Sequence, residues 1–412
     1  MEMNNYFLQE HSKNTPNRWP YCELGSLTEK VGSGITPKGG ERVYKKEGRF
    51  FIRSQNVGWG KLILNDVKFI DDLTHSKFPS TEIQTNDVLL NITGASIGRS
   101  TIANKTIEGG NVNQHVCIIR VKKHILYANF LNQVILSNYV QKQINSFQAG
   151  GNRQGINFEQ IKHLVVPLPS LAEQKAIAEA LSDVDELISS LEALIEKKKA
   201  IKQGVMQELL AGKRRLPGFS GKWNKKSIEE IFNINTASSK SRYITEGGKY
   251  LIIDMGSISK NGELIPSKQT NYSGDFLMIG DLVMPKDDIG GGKIIGKTAY
   301  IDKNDEYVAG DHIFILKSKF GESRFFHYLI NSFEINNRVR KKVIGSAQLG
   351  ISKNSIKEEI LTFPDLNEQE AISDLIDSLE SEINKIYKKT EKIKLIKQGM
   401  MQELLSGRIR LV

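Results

Sequence analysis

The segment "GGKIIGKT", Gly291 to Thr298, satisfies the G-x4-G-K-T spacing of a nucleotide-binding loop. That spacing suits phosphate chemistry. Glycine backbone N–H groups cradle the phosphates, the lysine reaches the outer ones, and the hydroxyl holds magnesium at the start of a helix. The surrounding residues do not supply that helix. After Thr298 come "AYIDKNDEYVAGD", which read as a strand and a turn, and Ile294, Ile295 and Tyr300 fit an extended segment. A nucleotide hydrolase centred on Lys297 is therefore disfavoured. What remains is a basic residue after glycine beside a hydroxyl, an arrangement suited to a phosphate contact, with a solvated lysine as the competing reading.

Other catalytic spacings are missing. The seven histidines are scattered, and His115 and His312 fall inside strand-like runs, where a satisfied structural histidine is expected. Cys22 and Cys117 have no second cysteine close by and belong to no Cys/His cluster that could form a zinc site. There is no H-E-x-x-H helix and no Asn-Pro-Pro run of the kind a DNA amino-methyltransferase carries. Asn91-Ile92-Thr93 matches a glycosylation acceptor, without meaning in a chain expected to stay in the cytoplasm. The pattern favours binding over catalysis, with no metal or cofactor of its own.

The balance of the 412 residues agrees. With 39% hydrophobic and 25% charged residues the chain is long enough for two or three globular domains. No run approaches the roughly 18 apolar residues of a membrane span, and residues 1–18 lack the apolar core of a signal peptide, so a cytoplasmic protein without a membrane partner is expected. A formal charge of +10 points to a polyanionic partner, because lysine and arginine clusters release counterions condensed on nucleic acid.

Two stretches must position whatever binds. "IKQGVMQELLAGKRRL" from Ile201 returns as "IKQGMMQELLSGRIRL" from Ile396, and at the same offset "PSLAEQKAIAEAL" from Pro169 falls on "PDLNEQEAISDLI" from Pro364. Such a repeat indicates duplication. Within it Ile177, Leu181, Val184, Ile188, Leu191 and Ile195 form a heptad seam, repeated by Ile372, Ile376, Leu379, Ile383 and Ile386. The register breaks at Lys198 and resumes with Ile201, Val205 and Leu209. Ser170 and Asp365 are placed as N-caps, Glu173 and Glu368 as their capping-box partners, and Gly212 and Gly407 as C-terminal stops. The expectation is two helices of about forty residues, each about 60 Å long, pairing antiparallel as a rigid spacer.

The regions before the helices differ in residues yet agree in order. "NDVLLNITGASIGRSTIA" faces "GDLVMPKDDIGGGKIIGKTAYI", "VNQHVCIIRV" faces "VAGDHIFILK", and a helical stretch follows in each. The fold class is mixed α/β (α+β): two related globular domains and two long helices in an internal repeat. The divisions are an N-terminal segment (1–18), a first domain (19–166), a central helix (167–216), a second domain (217–363) and a C-terminal helix (364–412).

At this point the chain resembles the specificity subunits of Type I restriction-modification systems. The residues that carry the resemblance are "LPSLAEQKAI" and "FPDLNEQEAI", the join "IKQGVMQELLAGKRRLPGFSGKW", the segments "GGNRQGINFEQIKHLVVPLP" and "GSAQLGISKNSIKEEILTFP", and "DVLLNITGASIGRS". The N-terminus and the loop "PKDDIGGGK" depart from it. The resemblance implies that each domain reads one half of a bipartite, asymmetric site on double-stranded DNA. It also implies that the helices dock methyltransferase subunits, two per complex, with restriction subunits in the full assembly. S-adenosylmethionine, ATP and magnesium then belong to those partners, and this chain is a non-catalytic specificity subunit. A coiled-coil adaptor that binds no DNA is the alternative.

Loops that read base edges enter the major groove, where donor and acceptor patterns distinguish all four base pairs. The candidates are Arg53, Ser54, Gln55, Asn56, Arg99, Asn152, Arg153 and Gln154 in the first domain. In the second they are Lys286, Lys293, Lys297 and Gln348. For partner docking the candidates are the repeated polar positions Lys202, Gln203 and Gln207 with their twins Lys397, Gln398 and Gln402, because packing between two helices does not require polar positions to match.

Overall fold

The computed structural model describes residues 19–148, 155–345 and 349–412. They form two compact units: residues up to 191 together with 389–412, and residues 192–388. Both are built on one plan.

In the first unit a four-stranded antiparallel sheet runs in the order Thr28–Ser33, Val116–Val121, Val88–Asn91, Ser100–Ile102. Its central strands are buried on both faces, which is why their sequences read as continuous apolar runs. Strand periodicity sorts their side chains between two cores. Val88, Leu90, Cys117 and Ile119 face a helical layer, while Leu89, Val116 and Ile118 face a second, three-stranded sheet. That smaller sheet places Arg49–Ile52 between Lys68–Ile70 and, in parallel, Asn111–Val112.

The second unit repeats this. Its larger sheet has the order Phe232–Thr236, Ile313–Ser318, Leu282–Pro285, Ala299–Tyr300, and its smaller one Lys268–Thr270, Tyr250–Ile253, Tyr307–Ala309. Leu282, Met284, Phe314 and Leu316 face the helices; Val283, Ile313 and Ile315 face the small sheet. The helical stretch expected in each domain is two helices, Ala128–Leu136 with Asn138–Ser146 and Ser323–Asn331 with Phe333–Arg340. Ser137 and Ser332 take extended backbone and break them at equivalent places. Ser137 Oγ then accepts the Val140 N–H, the kind of local bond that makes serine a helix starter.

The long helices are Leu171–Leu210 and Leu366–Leu404. Ser170 Oγ accepts the Glu173 N–H and Asp365 Oδ1 the Glu368 N–H, so both N-caps stand as the sequence indicated. Gly212 and Gly407 adopt left-handed backbone (φ 67° and 74°), and the following N–H groups of Lys213 and Arg408 bond back to the carbonyls of Glu208 and Glu403. That is a Schellman ending, which glycine permits without strain.

Within each unit the start of one long helix lies antiparallel to the end of the other. In the first, Asp185 accepts both contacts from Lys397 at 2.7 Å, and Ile177 and Leu181 share a core with Leu404 and Leu405. In the second, Glu380 pairs with Lys202 and Glu382 with Lys198 at 2.8 Å, and Ile372 and Ile376 share a core with Leu209 and Leu210. The seam departs from expectation at one position: Ile201 is 43% exposed and Ile396 45%, so the register does not resume there.

Candidate nucleic-acid interface

Both helices begin with Glu-Gln, and the structure gives the pair a different task from a capping box. Glu173 and Glu368 are fully buried. Glu173 accepts the Trp19 indole N–H at 3.1 Å and is clasped by both nitrogen arms of Arg410, whose guanidinium lies over the Trp19 ring. Glu368 is clasped in the same way by Arg215, stacked over Trp223. A carboxylate removed from water needs such a partner more than the helix needs a second cap. The glutamines reach into the domains. Gln174 Oε1 accepts the Tyr127 N–H at 2.7 Å, Gln369 Oε1 accepts the Glu322 N–H at 3.0 Å, and each amide N–H2 group donates to the carbonyl of the proline before the helix. Each domain is thereby fixed in register on its helix start.

The candidate reading residues fall into different environments. Arg53 is tied to its own domain, donating to the Asp66 carbonyl at 3.0 Å and lying over Tyr44. Ser54 offers its carbonyl to Asn91 at 2.8 Å. Asn56 departs from the expected outward position: it is 1% exposed, with its amide spent on the Ile63 carbonyl and the Arg53 N–H, so it shapes the turn and has no surface to present to a base. Gln55 is exposed and rests on Asp66 at 2.9 Å. Arg99 is half-buried at the end of an exposed turn, following Gly98. Asn152, Arg153, Gln154 and Gln348 lie outside the described residues.

In the second domain Lys293 is exposed and Lys286 half-buried between two strands. Lys297 has a structural partner. Its Nζ donates to the carbonyl of Asn331, the last residue of Ser323–Asn331, at 3.1 Å, where a cation suits the helix C-terminus. Burial, with the Arg340 charge added, pulls its pKa below the usual lysine range. Thr298 is fully buried against His327. The residues around Ile294 and Ile295 form bends and a turn where an extended segment was expected, because buried Ile295 anchors the turn in the core. No helix follows Thr298, only the strand Ala299–Tyr300, so this segment lacks the geometry of a phosphate-binding loop.

Of the docking candidates, the lysines are engaged within the units: Lys202 with Glu380 and Lys397 with Asp185. The glutamines are not. Gln203, Gln207, Gln398 and Gln402 are exposed in both copies. Gln203 and Gln207 also line a cleft of about 1550 Å³ in the second unit, with Lys213, Lys260 and Lys341 on its walls.

Two mixed sheet-and-helix domains with unlike loops, each seated on a repeated helix, define a DNA sequence-recognition subunit, and the comparisons agree. The model of the Type I restriction modification DNA specificity domain matches twice, over residues 16–203 and 220–395. The chain belongs to that family. The MjaVIII specificity subunit of Methanocaldococcus jannaschii is 30% identical over 61% of this chain and 63% of its own length. The EcoKI specificity subunit of Escherichia coli is 22% identical over 96% and 89%. The crystal structure of the S subunit from M. genitalium shares the fold, with a TM-score of 0.62 over 95% of this chain and 97% of that one at 16% identity.

The paired Glu–Arg clasps and the engaged docking lysines join segments far apart in the chain and escape a residue-by-residue reading. The signal was present in the repeat, since Glu173, Asp185, Arg215 and Lys202 all have twins of like charge at the common offset. Among the described residues no group of acidic, histidine and cysteine side chains is arranged to hold a metal, and no helix is long and apolar enough to cross a membrane.

Proposed function

We propose that this chain reads DNA for a Type I restriction-modification complex, each domain recognising one half of a bipartite, asymmetric site. The observation that carries the reading is one topology used twice with different loop residues. A shared frame fixes how each domain presents its surface, and the unlike loops then select different bases. The exposed glutamines on the two helices dock methyltransferase subunits, two per complex, and restriction subunits complete the assembly. Catalysis, with S-adenosylmethionine, ATP and magnesium, resides in those partners, and the complex works in the cytoplasm.

The test is a domain exchange. Replacing residues 19–166 by the first domain of another family member, in cells that supply the partner subunits, changes one half of the methylated sequence and leaves the other half intact. An unchanged methylated sequence sinks the proposal.

A further inference from the structure

Each domain contains the same histidine-centred clamp where loops leave the large sheet. In the first, His115 stands just before the strand Val116–Val121; in the second, His312 stands just before Ile313–Ser318. The His115 carbonyl accepts the Ile92 N–H at 3.0 Å, and the Ile92 carbonyl accepts the Ile156 N–H at 3.0 Å. The His312 carbonyl accepts the Lys286 N–H at 3.0 Å, and the Lys286 carbonyl accepts the Ile351 N–H at 2.9 Å. Three chain segments are thus tied together in the same order in both domains.

The side chains repeat the arrangement with different chemistry. His115 Nδ1 lies 2.5 Å from Thr93 Oγ1, and Gln114 Nε2 lies 3.1 Å from His115 Nε2. The Gln114 carbonyl oxygen is engaged by the Thr36 hydroxyl, so its amide nitrogen faces the ring as donor, Nε2 accepts, and Nδ1–H is left to donate to Thr93. His312 Nδ1 lies 2.7 Å from Asp287 Oδ2, a carboxylate that can only accept from the ring. Both imidazoles therefore donate from Nδ1 to the first residues of an outgoing loop. Thr93 precedes the turn Gly94–Ser96, which leads to Arg99; Asp287 opens the strand Asp287–Asp288, which leads to Ile289, 71% exposed, and to Lys293. His312 holds this position with φ at 59°, a left-handed conformation that costs a non-glycine residue energy and persists where the surroundings enforce it.

We infer that His115 and His312 are positioning residues for sequence discrimination: each orients the loops of its own domain and so sets the fidelity of one half-site. The inference rests on the proposed reading of DNA by two domains. A structural histidine would affect stability and binding to every DNA alike, whereas a positioning residue changes the ratio between right and wrong sequences in one half only.

The experiment uses the full chain assembled with its methyltransferase subunits. The probes are a duplex carrying the methylated sequence mapped for the unaltered protein and duplexes with one base changed in either half. His115→Ala is expected to lose about tenfold of its discrimination in one half-site and His312→Ala the same in the other, the effect of one hydrogen bond on loop placement. His115→Asn and His312→Asn, which keep an N–H donor near Nδ1, restore it. Discrimination ratios that stay intact in both alanine variants, or fall equally in both halves, overturn the inference while leaving the two-domain reading standing. An unaltered complex with no sequence preference overturns both.

Discussion

Arg410 closes on Glu173, 237 residues earlier in the chain, and Arg215 closes on Glu368 in the twin position. Each clasp joins the end of one long helix to the start of the other and lies beneath a tryptophan, Trp19 or Trp223. The buried carboxylate is the vulnerable member, since removing its cation strands a charge away from water.

Arg410→Ala is therefore expected to loosen the first unit and Arg215→Ala the second. Hydrogen exchange followed peptide by peptide checks this. Protection should fall around residues 171–191 and 389–405 in the first variant, and around 192–210 and 366–388 in the second. A uniform loss of protection in both variants contradicts the pairing.

Lys297→Ala removes the cation at the Asn331 carbonyl and should lower stability by about 1 kcal/mol in urea unfolding. The same variant should leave the response to ATP unchanged in calorimetry, since neither the helix nor the free lysine of a phosphate loop is present.

His327 supplies a pH signature. Burial, reinforced by the charges of Lys202 and Lys297 and opposed by Asp377, pushes its pKa down from 6.5 to about 4. Between those values the unfolded chain holds a proton that the folded one does not, so stability falls as pH drops from about 6.5 to 4. Across that window the loss should be on the order of 2–3 kcal/mol. His327→Asn should flatten the dependence, since at the same offset in the first domain Asn132 fills this place and accepts the Ser100 hydroxyl at 2.8 Å. Urea midpoints across that range decide the matter.

Gln203→Ala with Gln207→Ala should weaken capture of a methyltransferase subunit about tenfold or more while leaving the unfolding midpoint unchanged, because both side chains are exposed. The twin pair Gln398→Ala with Gln402→Ala should do the same at the second docking position. Co-purification with titrated partner measures both.

The frame was legible because helices announce themselves locally. The caps at Ser170 and Asp365, the glycine stops and the seam around Ile177 and Ile372 all depend on neighbours a few residues away. Contacts between distant segments left weaker traces. Glu173 looked like a capping-box residue because the sequence shows the residue three positions before it and hides the arginine more than two hundred positions after it. Asn56 looked like a reader because a polar residue after a strand can face outward or fold back, and only the Ile63 carbonyl decides which. Lys297 carried a phosphate-loop spacing by coincidence, and the helix end it serves lies 34 residues further on.

The order of the segments also has a consequence for synthesis. The second unit is contiguous, residues 192–388, whereas the first needs residues 389–412 to complete its core around Leu404 and Leu405. Domains that emerge from the ribosome first usually fold first. Here the earlier domain must wait, with part of its apolar surface uncovered, until the later one has already been made; nascent chains of this protein should finish assembling in the reverse of the order in which they are translated.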